Sequence, residues 1–538
     1  MKVFLYFLIA FIANKEIVKI VEAISYDKKN VVIIMSDDMG FHDVSYRGSN
    51  EIPTYNIDSL AYNGIILDRF YTSPMCTPSR SALLTGKYPH HNGMQNYVIV
   101  SDEPWGLPLD EKLMPEYFQD AGYETHLIGK WHLGFYKEEY SPVNRGFDTF
   151  YGYLGPYVDY WDYTLKMFSR NYSRGYDMRR NSEIDRTYKN VYATDVLTKE
   201  AIRVIENHDN EKPLFLLLSH LAPHTANDDK PMQAKEEIIE KFSYIENEER
   251  RILAAMMHSL DESVGDIIEA LYNSNLLNDT IVVFFSDNGG PSVNLHSTKA
   301  SNYPFRGQKG SGWDGAIRTG AIIYAPFLPS GIIRRKFFYI GDLLPTLLNL
   351  ANTNIQINKK IDGLDLSNMI LYNKAPFRNE IITIDDIFGY SSFIFNGFKL
   401  VNGSSSEGFD DGWLGSNNNS DINSSQYISE ILRSKVSKYL EIFKHPLQPD
   451  NIREIRKRAT VQCSGIHNNC NLLNGPCLYD IIHDPCEERN LATPENVFMK
   501  IMQEIFITEL QHLIPSHRKP PDSKCDPINF NYTWSWWL

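Results

Sequence analysis

Several polar residues directly follow apolar segments of the sequence, and together they could form one site. The four positions are Asp37-Asp38, Lys130 with His132, His220 with His224, and Asp287-Asn288. In open parallel α/β sheets, ligands bind outside the carboxyl ends of the strands. If the apolar segments are strands of one such sheet, these side chains meet at the same edge. The pattern therefore predicts a site that combines carboxylates, amines and imidazoles.

Two of these positions offer oxygen ligands for a metal ion. Asp37, Asp38, Asp287 and Asn288 carry the hard oxygen atoms that Ca²⁺ or Mg²⁺ prefers, and the His and Cys residues are not at the spacings of a zinc site. Asp-Asp and Asp-Asn-Gly-Gly also occur simply as turn or cap residues. Because each pair ends an apolar segment, we favour one divalent cation held by all four residues.

Cys76 opens the most specific segment, Cys-Thr-Pro-Ser-Arg-Ser-Ala-Leu-Leu-Thr-Gly. Pro78 suits the first turn of a helix that runs through Leu84, and Gly86 suits its end. Cys76 would then stand at a helix N-terminus, which attracts anions, with Arg80 about one turn further on. A thiol in that position would be activated, as in a cysteine hydrolase. The simpler alternative is a structural cysteine in a helix cap.

The basic residues are individually weaker signals. Lys130 and His132 are two residues apart and lie on one side of an extended segment. Lys309 belongs to a glycine-rich loop that would let the backbone approach a ligand. Single lysines and histidines are most often solvated or structural. Spacing alone does not decide between His220 and His224.

Five short apolar runs predict strands that are covered on both faces. They are residues 30–35, 125–128, 214–218, 281–285 and 321–324. Helical patterns lie between them, and residues 252–271 give the clearest, with apolar residues spaced by three and four. Strands that alternate with helices predict an α/β domain with a mostly parallel sheet, here over residues 25–375.

The character of the sequence changes after about residue 375. Three short apolar runs, at 381–384, 392–395 and 398–401, predict strands, and Asn396-Gly397 is a strong signal for a two-residue hairpin turn. We therefore expect a smaller C-terminal domain, residues 376–538, with an antiparallel sheet. Residues 403–426 are rich in Ser, Asn, Asp and Gly and predict an exposed loop.

The overall charge limits the partners. With 53 Lys and Arg against 67 Asp and Glu, the net charge of the 538 residues is −14, which argues against a nucleic-acid binder. An anionic substrate remains compatible with this charge, because a local cluster of basic residues and metal can reverse the field inside a cleft.

The amino terminus has the features of a secretory signal. Residues 3–13 form an apolar run that is too short to span a bilayer, and cleavage after Ala13 or Ala23 gives a signal peptide within residues 1–23. No later stretch is apolar for long enough to predict a membrane helix. The expected location is the secretory pathway, with a lysosomal or secreted product. Six sequons are glycosylation candidates: Asn171, Asn278, Asn402, Asn418, Asn423 and Asn531.

Five of the six cysteines lie in the last 80 residues, while Cys76 stands alone. In a secreted protein such a cluster predicts disulfides that stabilise a small domain. Spacing favours the pairs Cys463–Cys470 and Cys477–Cys486, and it leaves Cys525 unmatched.

Taken together, these motifs resemble those of the type I sulfatases. The family signature, Cys-x-Pro-Ser-Arg followed by Leu-Leu-Thr-Gly, stands at residues 76–86. The similarity continues through residues 37–40, 129–134, 145–148, 286–290 and 306–309. The resemblance implies an alkaline-phosphatase-like fold and a sulfuric ester hydrolase activity. A phosphohydrolase on the same sheet would place Ser or Thr at position 76 and would prefer zinc.

The resemblance also implies two groups that the amino acids alone do not supply. Cys76 would be oxidised to formylglycine by the formylglycine-generating enzyme, and the hydrate of that aldehyde would be the nucleophile. One Ca²⁺ ion would be held by the modified Cys76 and by Asp37, Asp38, Asp287 and Asn288.

Roles for the basic residues follow from the same resemblance. Arg80, Lys130 and Lys309 would offset the charge on the sulfate oxygens. The remaining active-site histidine matches His224, which with Lys309 would protonate the departing oxygen, although the usual Pro two places later is missing. His132 would take a proton from the second hydroxyl of the hydrate.

The substrate expected from the resemblance is a sulfated carbohydrate or an aryl sulfate. Residues 108–113, 130–134 and 342–346 are most similar to the arylsulfatase B branch, which acts on N-acetylgalactosamine-4-sulfate, and residues 476–480 and 484–487 to its insect and other invertebrate members. An alternative is a glucosinolate-type or other aryl sulfatase. A third alternative, a catalytically silent sulfoglycan binder, would be expected to have lost a core residue.

Overall fold

The structure is a computed structural model that describes residues 28–167, 173–294, 296–415, 424–466 and 470–538. The predicted signal peptide and the sequons at Asn171, Asn418 and Asn423 lie outside these residues. The strands are β1 (Asn30–Ser36), β2 (Ile65–Tyr71), β3 (Glu124–Lys130), β4 (Thr149–Tyr153), β5 (Thr164–Leu165), β6 (Gly175–Tyr176), β7 (Arg179–Arg180), β8 (Glu183–Ile184), β9 (Leu214–Ser219), β10 (Thr280–Ser286), β11 (Ala321–Tyr324), β12 (Ile332–Tyr339), β13 (Glu380–Asp385), β14 (Tyr390–Phe395), β15 (Phe398–Asn402) and β16 (Cys477–Asp480).

The α-helices lie between and after these strands. They are α1 (Tyr55–Asn63), α2 (Cys76–Thr85), α3 (Met114–Asp120), α4 (Ala193–Glu206), α5 (Glu236–Ile239), α6 (Glu248–Asn273), α7 (Asp314–Ile317), α8 (Leu343–Leu350), α9 (Ser367–Tyr372), α10 (Ser424–Arg433), α11 (Lys435–Leu440), α12 (Pro449–Ala459) and α13 (Val497–Leu510). In the described part of the chain, no helix is both long and apolar enough to cross a membrane.

A ten-stranded mixed sheet forms the centre of the molecule. Its strand order is β12-β2-β11-β10-β1-β9-β3-β4-β7-β8. The central run β10-β1-β9-β3-β4 is parallel, whereas β11 pairs antiparallel with both of its neighbours. All five predicted strands are present, and the expectation of a mostly parallel sheet flanked by helices is confirmed. Strands β2, β4, β7, β8 and β12 of this sheet are not predicted from the sequence.

The central strands are apolar throughout because helices cover the sheet. Every residue of β1 and β10 is buried. The longest helix, α6, buries the apolar stripe that its sequence predicts, and it packs against α4 and α1. Polar residues at the strand ends are therefore held at the edge of a rigid, close-packed core.

A separate four-stranded antiparallel sheet, β13-β14-β15-β16, confirms the predicted change of architecture. The hairpin β14–β15 turns at Asn396-Gly397, and both residues have positive φ, 49° and 88°. This backbone conformation suits Asn and Gly in a two-residue turn. The last strand, β16, comes from much later in the chain and adds to β15.

The domain boundary near residue 375 stays a prediction, because the chain beyond it both forms the small sheet and packs on the helices of the large sheet. Helices α10 and α11 pack on the helices of the large sheet, where the hydroxyls of Tyr427 and Tyr62 are 2.7 Å apart. Ser434 and Ser59 form a second such contact, also at 2.7 Å.

The expected disulfide pairing is wrong. The structure joins Cys463 to Cys486 and Cys470 to Cys477, with Cα–Cα distances of 5.9 and 6.0 Å. Pairing depends on which Cα atoms the fold brings within about 6 Å, and the position of β16 beside β15 sets this here. Cys76 and Cys525 are free and buried.

A buried cluster of charged residues links strand β15 of the small sheet to the start of helix α7. Lys399 of β15 is 2.7 Å from Asp314 at the start of α7 and 2.6 Å from Glu487. All three side chains are buried. Burial raises the pKa of Glu487 to about 7, although Lys399 opposes this shift.

Replacing Lys399 with Met should destabilise the protein by about 3–5 kcal/mol, because Glu487 would stay buried without its ion-pair partner. The loss should be smaller at pH 5 than at pH 8, since protonation removes the unpaired negative charge. Chemical denaturation at the two pH values measures both effects. Lys212→Met, which removes an exposed pair with Glu124, is the control and should change stability much less. Equal losses in both variants would contradict this role.

Candidate active site

The parallel pairing of β1 with β10 places two acidic segments side by side. Ser36 and Ser286 are partners at the ends of these strands, so that the residues after them are neighbours. The backbone N–H of Asp38 donates to Asp287 Oδ1 at 3.3 Å, and Asn288 Nδ2 donates to Asp38 Oδ1 at 2.6 Å. Asp37 and the other three residues have no exposed surface. Asp38, Asp287 and Asn288 are therefore in contact, and Asp37 and Asp38 each have an oxygen within 4.8 Å of the other and of ligand atoms of Cys76 and His224.

This set of atoms suits a hard divalent cation. The side-chain oxygen of Asn288 is buried and has no hydrogen-bond partner among the described residues. Burial, followed by the charge of Asp37, raises the pKa of Asp287. An oxygen-coordinated cation would use the free Asn288 oxygen and offset this repulsion, as Ca²⁺ does in proteins. The donor set therefore fits the expected ion.

Cys76 is the first residue of helix α2, as predicted. The helix ends at Gly86, which is left-handed (φ 68°). Cys76 Sγ lies 3.5 Å from Asp37 Oδ1 and is buried. Burial raises the pKa of the thiol far above its usual value, although Lys130 and Lys309 act in the opposite direction. These surroundings therefore disfavour the thiolate form of the unmodified side chain as long as no cation is bound.

Arg80 lies one helical turn beyond Cys76, and its guanidinium contacts the acidic residues. Its Nε and Nη2 donate to Asp287 Oδ2 at 3.1 and 2.8 Å. Its Nη1 donates to Ser219 Oγ at 2.6 Å. Burial disfavours the charge on Arg80, but Asp287 and Asp37 outweigh it and hold the pKa above its usual value.

Two lysines complete the charge balance. Lys130, the last residue of β3, contacts Asp37 Oδ2 at 2.6 Å. Lys309 reaches Asp38 from the other side of the site, at 2.6 and 2.7 Å from its two oxygens. Burial opposes ionisation of Asp38, but Lys309 and His224 outweigh it and lower its pKa. Three carboxylates thus face three basic side chains.

His132 is oriented by the backbone. Its φ is 60°, and its Nε2 bonds to the carbonyl oxygen of Ile99 at 2.9 Å. Because a carbonyl only accepts, Nε2 carries the hydrogen and Nδ1 has the lone pair. Burial, then Lys130 and Arg80, lower the pKa of His132 well below its usual value. The ring is therefore a neutral proton acceptor at Nδ1.

The structure separates the two histidines that the spacing left open. His224 Nε2 lies 3.5 Å from Asp38 Oδ2, and its ring stacks on Tyr157 with centroids 5.5 Å apart. His220 instead contacts Ser263 of helix α6 at 3.0 Å, within the core. Only His224 therefore faces the acidic residues.

Two site residues were not singled out from the sequence. Ser219, the last residue of β9, accepts from Arg80. Thr77 Oγ1 donates to the carbonyl oxygen of His132 and accepts from the N–H of Ile99, each at 3.1 Å. A hydroxyl at the end of an apolar strand is the one signal for Ser219. For Thr77, the one signal in the sequence is its position next to Cys76.

The site opens into a cleft of about 650 Å³. Its walls are largely apolar and aromatic, with contributions from Tyr97, Ile99, Tyr157 and Phe388. Beyond the groups described above, its charged lining residues are Asp102, Glu103, Asp385, Asp410 and Arg518. Arg518 is paired with Glu103 at 2.8 Å. The outer cleft is therefore predominantly acidic.

Residues 29–353, more than half of the chain, match the Sulfatase family model. The chain belongs to the sulfatase family.

Known proteins of the family are similar over much of the chain. Mouse arylsulfatase J is 38% identical over 362 residues, which cover 67% of this chain and 58% of that protein. Mouse N-acetylgalactosamine-6-sulfatase is 30% identical over 351 residues, which cover 63% and 65%. The matched region thus spans less than two thirds of either relative.

Solved structures extend the likeness in fold. The crystal structure of Ps i-CgsB in complex with k-i-k-neocarrahexaose has a TM-score of 0.71 and 25% identity, and covers 94% of this chain and 97% of that one. BT4656, in complex with D-glucosamine-2-N,6-O-disulfate, has a TM-score of 0.58 at 18% identity, covers 90% and 98%, and supports the fold alone. The alkaline-phosphatase-like architecture expected from the sequence is confirmed.

Proposed function

We propose that this chain hydrolyses sulfate esters. The observation that carries the proposal is the charge arrangement around Cys76. Asp37, Asp38 and Asp287 are balanced by Arg80, Lys130 and Lys309, so that one bound divalent cation would leave two positive charges to attract a sulfate group. Family membership makes the sulfuric ester the favoured oxyanion ester.

Cys76 is proposed to act after oxidation to formylglycine by the formylglycine-generating enzyme. The hydrated aldehyde supplies a nucleophilic hydroxyl and a second hydroxyl that permits its regeneration. Three features support this assignment. Residue 76 opens the family signature, it begins a helix beside Asp37, and it is a free, buried cysteine outside the disulfides.

Calcium is the proposed cofactor, held by Asp37, Asp38, Asp287 and Asn288 together with the modified residue 76. The support is the buried oxygen set and the unpartnered Asn288 oxygen. When bound, the ion would act as a Lewis acid toward a sulfate oxygen.

The other residues have roles that follow from their hydrogen bonds. Arg80, Lys130 and Lys309 are fixed by buried carboxylates and would bind the sulfate oxygens as preorganised donors. His132 would accept a proton at Nδ1, the atom left free by its bond to Ile99. His224 Nδ1 donates to the carbonyl oxygen of Thr225 at 2.7 Å, so that the neutral ring has its lone pair on Nε2, the atom that faces Asp38. With Lys309, His224 would deliver a proton to the departing oxygen from Nε2 only in its protonated form.

The outer cleft bears on the choice of substrate. The sequence motifs favour an arylsulfatase B-like substrate, N-acetylgalactosamine-4-sulfate. Among the described lining residues of the outer cleft, however, four carboxylates face one guanidinium, and the walls are apolar. We therefore propose an ester with one sulfate and a compact, uncharged remainder, either a single sugar or an aryl group. A polyanionic glycan would be repelled.

The proposed route of the protein is the secretory pathway, with a lysosomal or extracellular end point. The three sequons within the described residues, Asn278, Asn402 and Asn531, are all exposed and so are accessible for glycosylation. The relatives' names do not distinguish the two destinations.

The nucleophile is tested by replacing Cys76 with Ala. Turnover of 4-nitrophenyl sulfate should fall by about a thousandfold or more, because binding residues alone give only residual catalysis. Mass spectrometry of wild-type peptides should show an aldehyde at residue 76. Cys525→Ala, at the other free buried cysteine, is the matched control and should keep its activity. A wild type that binds sulfated sugars without hydrolysing them would instead be a silent binder.

Removing calcium should lower both Tm and activity, because the buried carboxylates lose their cation. Added Ca²⁺ should restore Tm, with a gain of about 2.7 kcal/mol at a hundred times Kd. Asn288→Leu should lose much of this response, whereas Asn207→Leu, at an exposed helix end, should keep it. Thermal unfolding across a calcium titration measures the effect. No response to chelation in the wild type would contradict the assignment.

Substrate charge should matter more than substrate size. The value of kcat/KM for 4-nitrophenyl sulfate and for N-acetylgalactosamine-4-sulfate should exceed that for a chondroitin-4-sulfate disaccharide, which carries a carboxylate, by about tenfold, or roughly 1.4 kcal/mol. Parallel initial-rate measurements at low salt decide this. A preference for the disaccharide would refute the compact-substrate proposal and leave sulfate ester hydrolysis intact.

A further inference from the structure

A second cluster of possible metal ligands lies at the opposite end of β3 from the active site. Glu124 and His126 are the first and third residues of this strand, and His208 belongs to the turn after helix α4. One ligand atom from each lies within 4.8 Å of the other two. Lys130 ends the same strand six residues later, so that about 20 Å separates the cluster from the catalytic centre.

Both imidazoles have one ring nitrogen without a hydrogen-bond partner among the described residues. These atoms are His126 Nε2 and His208 Nδ1, and both are shielded from solvent. The His208 side chain has no exposed surface at all. Buried polar atoms are normally satisfied, so two such nitrogens beside one carboxylate point to a ligand that accepts their lone pairs.

The other nitrogen of each ring is held by a neighbour. His208 Nε2 donates to the carbonyl oxygen of Lys212 at 2.8 Å, which leaves the lone pair on Nδ1. His126 Nδ1 contacts Thr149 Oγ1 at 2.7 Å, which leaves Nε2 for a ligand. Metal-binding histidines are generally oriented in this way by an outer hydrogen bond.

Glu124 supplies a third donor without losing its existing contact. Its Oε1 pairs with Lys212 at 2.9 Å, while its Oε2 lies 3.4 Å from His208 Nδ1 without a hydrogen bond. Two ligand atoms on a tetrahedral zinc ion are separated by about 3.4 Å, because each bond is about 2.0–2.1 Å long. Glu124 is partly exposed, so an ion and a solvent ligand can enter.

We propose that Glu124, His126 and His208 bind a divalent transition metal ion, with Zn²⁺ as the best-suited ion. Two imidazoles and one carboxylate, with solvent in the fourth position, form a donor set that zinc accepts and calcium does not. The ion would fasten the turn after α4 to the start of β3. This site is independent of the proposed sulfatase activity.

The test is calorimetric titration of Zn²⁺ into the calcium-saturated protein, so that the catalytic site is already filled. The wild type should bind one Zn²⁺, and binding should raise its Tm. His208→Gln should weaken zinc affinity by at least tenfold through loss of a ligand. Thr149→Val should weaken it by about 10–100-fold, because only the outer hydrogen bond to His126 is removed.

His483→Gln is the matched control, since His483 also contacts a carboxylate, Asp480, at 2.8 Å but is exposed. Its zinc affinity should equal that of the wild type. Circular dichroism checks that each variant folds. If His208→Gln does not fold, the zinc affinity of Thr149→Val alone decides the question. No zinc binding by the wild type, or equal affinity in Thr149→Val and wild type, would overturn the proposal and leave a simple His208–Glu124 ion pair.

Discussion

The site depends on the parallel pairing of β1 with β10. This pairing places Asp37 and Asp38 beside Asp287, with all three carboxylates out of water. Buried like charges at this distance are unfavourable unless cations offset them. Arg80, Lys130 and Lys309, which come from helix α2, from strand β3 of the same sheet and from a distant loop, meet this requirement. The same constraint makes the place attractive to a divalent ion and to an anionic substrate.

Helix α2 completes the arrangement because its first residue is held against these carboxylates. The N-terminal end of a helix carries partial positive charge, which favours anions nearby. Burial nevertheless raises the pKa of the Cys76 thiol above its usual value. Polar residues around it, including Thr77 and Ser219, are instead used to fix His132 and Arg80. These contacts agree with the proposal that the site binds an oxyanion.

Strand β3 illustrates how one element can carry two chemistries. Its carboxyl end supplies Lys130 to a centre of oxygen donors, whereas its first residues place imidazole and carboxylate together. Hard and borderline metal ions prefer these two donor sets, respectively. Separation along a rigid strand keeps the two sites apart. In the proposed reaction, the acidic outer cleft would act on the remainder of the substrate and not on the sulfate.

The sequence by itself determined the local elements and the types of residue that meet at the site. Apolar runs predicted β1, β3, β9, β10 and β11, the pattern of Asn396-Gly397 predicted a hairpin, and residues 76–86 predicted a helix with Cys76 at its start. These features depend on nearby residues, so a linear pattern contains them. Spacing left His220 and His224 open and the family resemblance favoured His224, but the choice depends on which way each ring faces after β9, which the tertiary structure decided. The tertiary structure also paired Cys463 with Cys486 rather than with Cys470, since the position of β16 beside β15 sets those Cα distances. Likewise, the charge of the cleft and the meeting of His126 with His208 arise from residues far apart in sequence, whose contacts exist only once the sheet has formed.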